Sequence, residues 1–77
     1  MAITVYSAAS CVQCKATYRE LEKQGLSYTV INLDETPEAR DDLVQLGHRQ
    51  LPVVTAGEVH WSGFRPDRIR ELTAATA

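Results

Sequence analysis

Seventy-seven residues with an apolar fraction of 44% suffice for one small domain, residues 1–77, and leave no room for a second core. A formal net charge of −2 speaks against nucleic acid as the main partner. No apolar run approaches the roughly 18 residues of a membrane span, so a membrane is not an expected partner either.

The chain opens with residues 2–7 as an expected strand, Ile3 and Val5 on one face, Thr4 and Tyr6 on the other. Residues 8–10 form a small polar bend, with Ser10 the expected N-cap of a helix that starts near Cys11 and runs to about Gln24. Gly25 then supplies the left-handed residue that ends helices. Ala16, Leu21 and Tyr18 form the inward face of this helix, while Lys15, Arg19, Glu20, Glu22 and Lys23 are solvated. Residues 27–33 are β-branched and aromatic and read as a second strand. Strand, helix and strand in so short a span imply a right-handed crossover and two parallel strands.

A second helix is expected after the loop at Asp34-Glu35, with Thr36 as N-cap, Pro37 in first position, and acids in the first turn. Ala39, Leu43, Val44 and Leu46 form its inward stripe, and Gly47 closes it. The acids Asp34, Glu35, Glu38, Asp41 and Asp42 read as a solvated face, because no loop has calcium-binding spacing. Val53–Thr55 and Val59–Trp61 flank a Gly57-containing turn and read as a β-hairpin. A last helix is expected from about Pro66 to Thr73, with Ile69 and Leu72 inward and Ala74–Ala77 frayed. The order is β-α-β-α-β-β-α, a four-stranded mixed sheet flanked by three helices, which is the thioredoxin-like α/β architecture.

Chemistry concentrates in Cys11-Val12-Gln13-Cys14, where a strand gives way to a helix. The first turn of a helix has unpaired N–H groups and partial positive charge. A thiolate there is stabilised, so its pKa falls and it becomes nucleophilic near neutral pH. The second cysteine is one turn away and can close a disulfide. Such a short loop constrains almost none of the unfolded chain, so a structural staple is a poor explanation. Two cysteines also cannot build the framework of a secreted miniprotein, and the N-terminal segment has no basic-then-apolar secretion signal. A cytoplasmic monomer is the expectation. His48 and His60 stand at no familiar zinc-finger spacing, so no metal site is expected and neither histidine receives a role.

The order of elements, the C-x-x-C after the first strand and the Leu51-Pro52 before the third resemble the glutaredoxin family. Within that family, Cys11-Val12-Gln13-Cys14, Arg49-Gln50-Leu51-Pro52-Val53-Val54 and Trp61-Ser62-Gly63-Phe64-Arg65-Pro66-Asp67 resemble the three signatures of the NrdH-redoxins. The resemblance extends over essentially the whole chain. It implies an electron carrier without a resident cofactor. Reducing equivalents would come from NADPH through thioredoxin reductase and pass to a class Ib ribonucleotide reductase.

The resemblance also implies roles for residues. Cys11 is the expected nucleophile and Cys14 the resolving thiol. Val12, Gln13, Leu51 and Pro52 are the expected substrate-binding residues. A cis Leu51–Pro52 bond is expected against the cysteine pair, leaving the Leu51 backbone to pair with an incoming peptide. Trp61, Ser62, Arg65 and Asp67 are expected to form a polar network holding the loop that contains Gly63 and Phe64. Glutathione-using relatives carry Thr-Val-Pro and Gly-Gly-x-Asp-like segments, and this chain departs from both, at Gln50-Leu51-Pro52 and Ser62-Gly63-Phe64-Arg65. A glutathione-dependent glutaredoxin is therefore the runner-up. A docking module with an inert disulfide and an iron–sulfur scaffold are more distant alternatives.

Overall fold

Alternation of apolar and polar side chains makes Ile3–Ser7 a strand, β1, whose burial alternates residue by residue. In the computed structural model, which describes residues 2–9, 11–48 and 50–76 (backbone alone for 74–76), six further elements follow. They are α1 (Val12–Lys23), β2 (Thr29–Asn32), α2 (Ala39–Gln45), β3 (Val53–Ala56), β4 (Val59–Ser62) and α3 (Pro66–Thr76). The strands form one mixed sheet in the order β2-β1-β3-β4. β1 runs parallel to β2, with Val5 opposite Val30, and antiparallel to β3, with Val5 opposite Val54. β3 and β4 form the expected hairpin, with Ala56 opposite Val59 and Gly57 at φ 61 opening the two-residue turn. The thioredoxin-like fold is the one expected.

Helices cover both faces. Ile3, Val5, Val54, Ala56 and Trp61 meet Leu21 of α1 and Ile69 and Leu72 of α3 in the larger core. On the other face, Val53 packs with Leu33 and with Ala39 and Leu43 of α2, flanked by Tyr6, Ile31 and Leu51. Tyr18 of α1 stacks on Tyr28 at 5.6 Å, and Tyr28 donates its hydroxyl hydrogen to Glu22 Oε1 at 3.0 Å, joining α1 to the approach of β2.

Several expectations are corrected. The N-cap of α1 is Cys11 itself, in extended conformation (φ −111, ψ 103); Ser10 lies outside the described residues, as do Arg49 and Ala77. Thr17, not Ala16, is the fully buried residue of the inward face between Cys14 and Leu21, because its hydroxyl bonds the Gln13 carbonyl at 2.9 Å. A threonine that satisfies itself this way can be buried at no hydrogen-bonding cost.

Strand β2 is shorter than residues 27–33, since only Thr29–Asn32 pair with β1. Helix α2 starts after Glu38, not at Pro37, because the lead-in closes with i to i−3 bonds: Ala39 N–H to Thr36 O and Arg40 N–H to Pro37 O. Neither Thr36 nor Glu38 caps it with a side chain. Val44 and Leu46 are 66% and 40% exposed, since a seven-residue helix presents only Ala39 and Leu43 to the sheet. Backbone helix α3 runs to Thr76, three residues beyond the expected end.

Candidate active site

The cysteines sit where β1 ends and α1 begins, and the sequence builds this junction in three ways. Cys11 Sγ accepts the Cys14 N–H at 3.1 Å, so sulfur takes the place of the hydroxyl or carboxylate that normally caps a helix. The first turn of α1 contains no acidic residue, while Lys23 lies in its last turn. The positive end of the helix therefore faces Cys11 without a nearby carboxylate on the same turn to oppose a negative sulfur. Asp34 reaches across from the end of β2 and accepts the Ala9 N–H at 3.0 Å, holding the bend before Cys11.

The expectation of Asp34 as part of a solvated face is incomplete, since its side chain also holds this bend. Its own N–H is taken by Asn32 Oδ1 at 2.8 Å, which aims the loop. Two parallel strands end side by side, so the residues after β2 fall beside the residues after β1. That juxtaposition was the available signal for Asp34.

Cys11 and Cys14 are bonded to each other. Their environments differ sharply. Cys14 is 1% exposed, whereas Cys11 is half-buried and its neighbour Val12 is 82% exposed. Only one sulfur of the pair is open to a large partner.

The other two segments join the junction through backbone atoms. The Leu51–Pro52 peptide bond is cis, as expected, and Pro52 is fully buried while Leu51 is half-buried. The Pro52 carbonyl accepts the Gly63 N–H at 2.7 Å. Phe64 N–H in turn donates to Oε1 of Gln13 at 3.2 Å. Gln13, Pro52, Gly63 and Phe64 are thus linked, and they bring the Cys-x-x-Cys helix, the proline segment and the loop before α3 to one end of the sheet. Gly63 has φ 81, a conformation that costs any other residue about 1–2 kcal/mol. Space is not the constraint there, since an added Cβ would meet Gln13 Oε1 at an ordinary 3.5 Å.

The expected four-residue network is found only in part. Arg65 grips Asp67 with two hydrogen bonds, Nε to Oδ1 at 3.3 Å and Nη2 to Oδ2 at 3.2 Å, on the surface. This contact holds the Asp67 carboxyl below the usual carboxylate range. Trp61 and Ser62 do not join them. Trp61 is a core residue, with Arg68 lying 5.7 Å from its ring centroid and its indole N–H buried without a partner among the described residues. Strand alternation explains the separation: Trp61 faces the α1/α3 core, and the Arg65–Asp67 pair straddles Pro66 at the exposed start of α3.

A Glutaredoxin family model matches residues 3–61. The glutaredoxin-like protein NrdH of Escherichia coli (strain K12) is 52% identical over 75 residues, which are 97% of this chain and 93% of that protein. The glutaredoxin-like protein NrdH of Lactococcus lactis (strain MG1363) is 37% identical over 70 residues, covering 91% of this chain and 97% of its own length. The solved structure of NrdH-redoxin from Escherichia coli superposes with a TM-score of 0.90 at 53% identity, covering 94% of this chain and 95% of that one. The cysteine junction, the cis-proline and these likenesses agree: the chain belongs to the glutaredoxin family, in its NrdH-redoxin branch, and is a thiol–disulfide oxidoreductase.

Proposed function

We propose that this protein is a dithiol electron carrier that takes reducing equivalents from NADPH through thioredoxin reductase and delivers them to the disulfide of a class Ib ribonucleotide reductase. The observation that carries the reading is the asymmetry of the pair, a half-buried N-capping Cys11 against a Cys14 that is 1% exposed. In the reduced protein, Cys11 is the thiolate, steadied by the Cys14 N–H and the helix dipole. It attacks one sulfur of the substrate disulfide, breaking that bond and releasing the other substrate sulfur as a thiolate. A mixed disulfide results. Cys14 then loses its proton and attacks Cys11, which frees the second substrate thiol. Two electrons have passed to the substrate, and Cys11–Cys14 is left oxidised for the reductase to reopen.

Val12, Gln13, Leu51 and Pro52 form the docking rim in this reading, with an extended substrate segment pairing along the Leu51 backbone. The E. coli NrdH-redoxin is described as having a thioredoxin-like activity profile, which favours thioredoxin reductase over glutathione as the source of electrons. A thioredoxin-reductase route also assigns the protein to the reducing cytoplasm, where it acts as a monomer. No helix among the described residues is long and apolar enough to cross a membrane.

The test is NADPH oxidation with a protein disulfide acceptor, run once with thioredoxin reductase and once with glutathione and glutathione reductase. Fast turnover with thioredoxin reductase alone is expected. Turnover with glutathione alone would make the protein an ordinary glutaredoxin in use, and silence in both would favour a docking module with an inert disulfide.

A further inference from the structure

His48 and His60 have no part in the dithiol chemistry, yet the fold brings them together. His48 follows α2, and His60 stands in the edge strand β4 opposite Thr55. Trp61 faces the α1/α3 core, so alternation turns His60 to the α2 face, away from the cysteine helix. There Nε2 of His48 lies 2.6 Å from Nδ1 of His60, with the ring centroids 4.8 Å apart and the planes at 81°.

In the neutral pair, one ring nitrogen donates its hydrogen to the lone pair of the other. Move that hydrogen to the far nitrogen of its own ring, and two nitrogen lone pairs face each other across this short gap. Two cis imidazole ligands at about 2.0 Å from a metal have their nitrogens roughly 3 Å apart, so the pair reaches ligand spacing when the 2.6 Å gap opens by a few tenths of an ångström and both rings tilt toward the ion. Crossed ring planes also let both rings approach one ion without colliding.

We propose that His48 and His60 form a surface site for one divalent transition-metal ion, binding Cu2+ more tightly than Zn2+, with water completing the coordination. Imidazole suits both ions, and the general order of affinity for nitrogen ligands favours copper. No group of three or more His, Cys, Asp or Glu gathers among the described residues, so the site has two protein ligands. The bound ion ties the connection between α2 and β3, which leads into Leu51–Pro52, to strand β4.

The proposal is tested by calorimetric titration of the oxidised protein with Cu2+, a state in which the Cys11–Cys14 disulfide removes the thiols as competing ligands. One ion per chain is expected, with affinity reduced tenfold or more in both His48→Ala and His60→Ala. At 100 times its Kd, Cu2+ should raise the Tm of the parent by at least about 10 °C and leave the Tm of each variant nearly unchanged. His60 is exposed, so its removal leaves the fold intact; the metal-free Tm of both variants checks this directly. Absence of binding to the parent, unchanged affinity in both variants, or loss in only one of them would overturn the proposal.

Discussion

On the α1/α3 face of the sheet, Val5, Val54, Leu21 and Ile69 are fully shielded from solvent; on the α2 face the buried cluster is smaller, Leu33, Ala39, Leu43 and Val53, and Val44 and Leu46 of the same segment stay 66% and 40% exposed. The first face carries a twelve-residue helix capped by Cys11; the second has seven residues with no side-chain cap. The difference matches what each must support. The dense face anchors the helix whose N-terminus sets the chemistry of sulfur, and any tilt of that helix would move the dipole relative to Cys11. The thin face anchors only the run-up to the proline segment.

The largest expected effect comes from opening the dense face. Leu21→Ala should cost about 4 kcal/mol, with Leu43→Ala on the α2 face nearer about 2–3 kcal/mol, because a seven-residue helix can settle into the space left behind. Urea unfolding of both variants measures the difference. Equal losses would break the comparison between the faces. For a domain whose total stability is on the order of 5 kcal/mol, Leu21→Ala approaches the limit of folding.

Gly63→Ala comes next. It should destabilise by about 1–2 kcal/mol through the positive φ alone, and should slow exchange because the Pro52 and Gln13 contacts converge on this loop. A variant with unchanged urea midpoint would show that the loop adapts. Gln13→Ala should cost about 1 kcal/mol, leaving the Phe64 N–H to water, and should lower turnover with a protein disulfide more than with a small disulfide.

The smallest expected effect lies at Arg65–Asp67. Asp67 has its pKa lowered in the folded protein, first by the hydrogen bond from Arg65, so its contribution is present above the ordinary value of 3.8 and is lost as pH falls through the depressed one. The pair is exposed, so the change is slight. Denaturant midpoints between pH 6 and pH 2 should fall a little more steeply for the parent than for Asp67→Asn. Parallel profiles would mean the pair holds nothing.

Much of this was readable from local signals. Alternation in β1, the Gly57 turn and the glycine after α1 mark the elements, and Cys-x-x-Cys after a strand marks the site. What was not readable depends on neighbours distant in sequence. Asp34 bonds Ala9 because β1 and β2 end together, and His48 meets His60 because α2 delivers its following loop beside the edge strand. Val44 and Leu46 misled because apolar spacing records capacity to be buried, and α2 is too short to use it. Trp61 was linked to Arg65 and Asp67 by adjacency in a motif, but strand alternation and the start of α3 separate them.

The most direct test of the central claim is the order in which the two thiols react. The fully reduced protein is treated briefly with limiting iodoacetamide between pH 5 and pH 9, and the modified cysteine is identified by peptide mass spectrometry. The account predicts that Cys11 is alkylated first by at least about tenfold, with a midpoint below the ordinary thiol value of about 8.5. Alkylation of Cys14 first, or of both at equal rates, would contradict it.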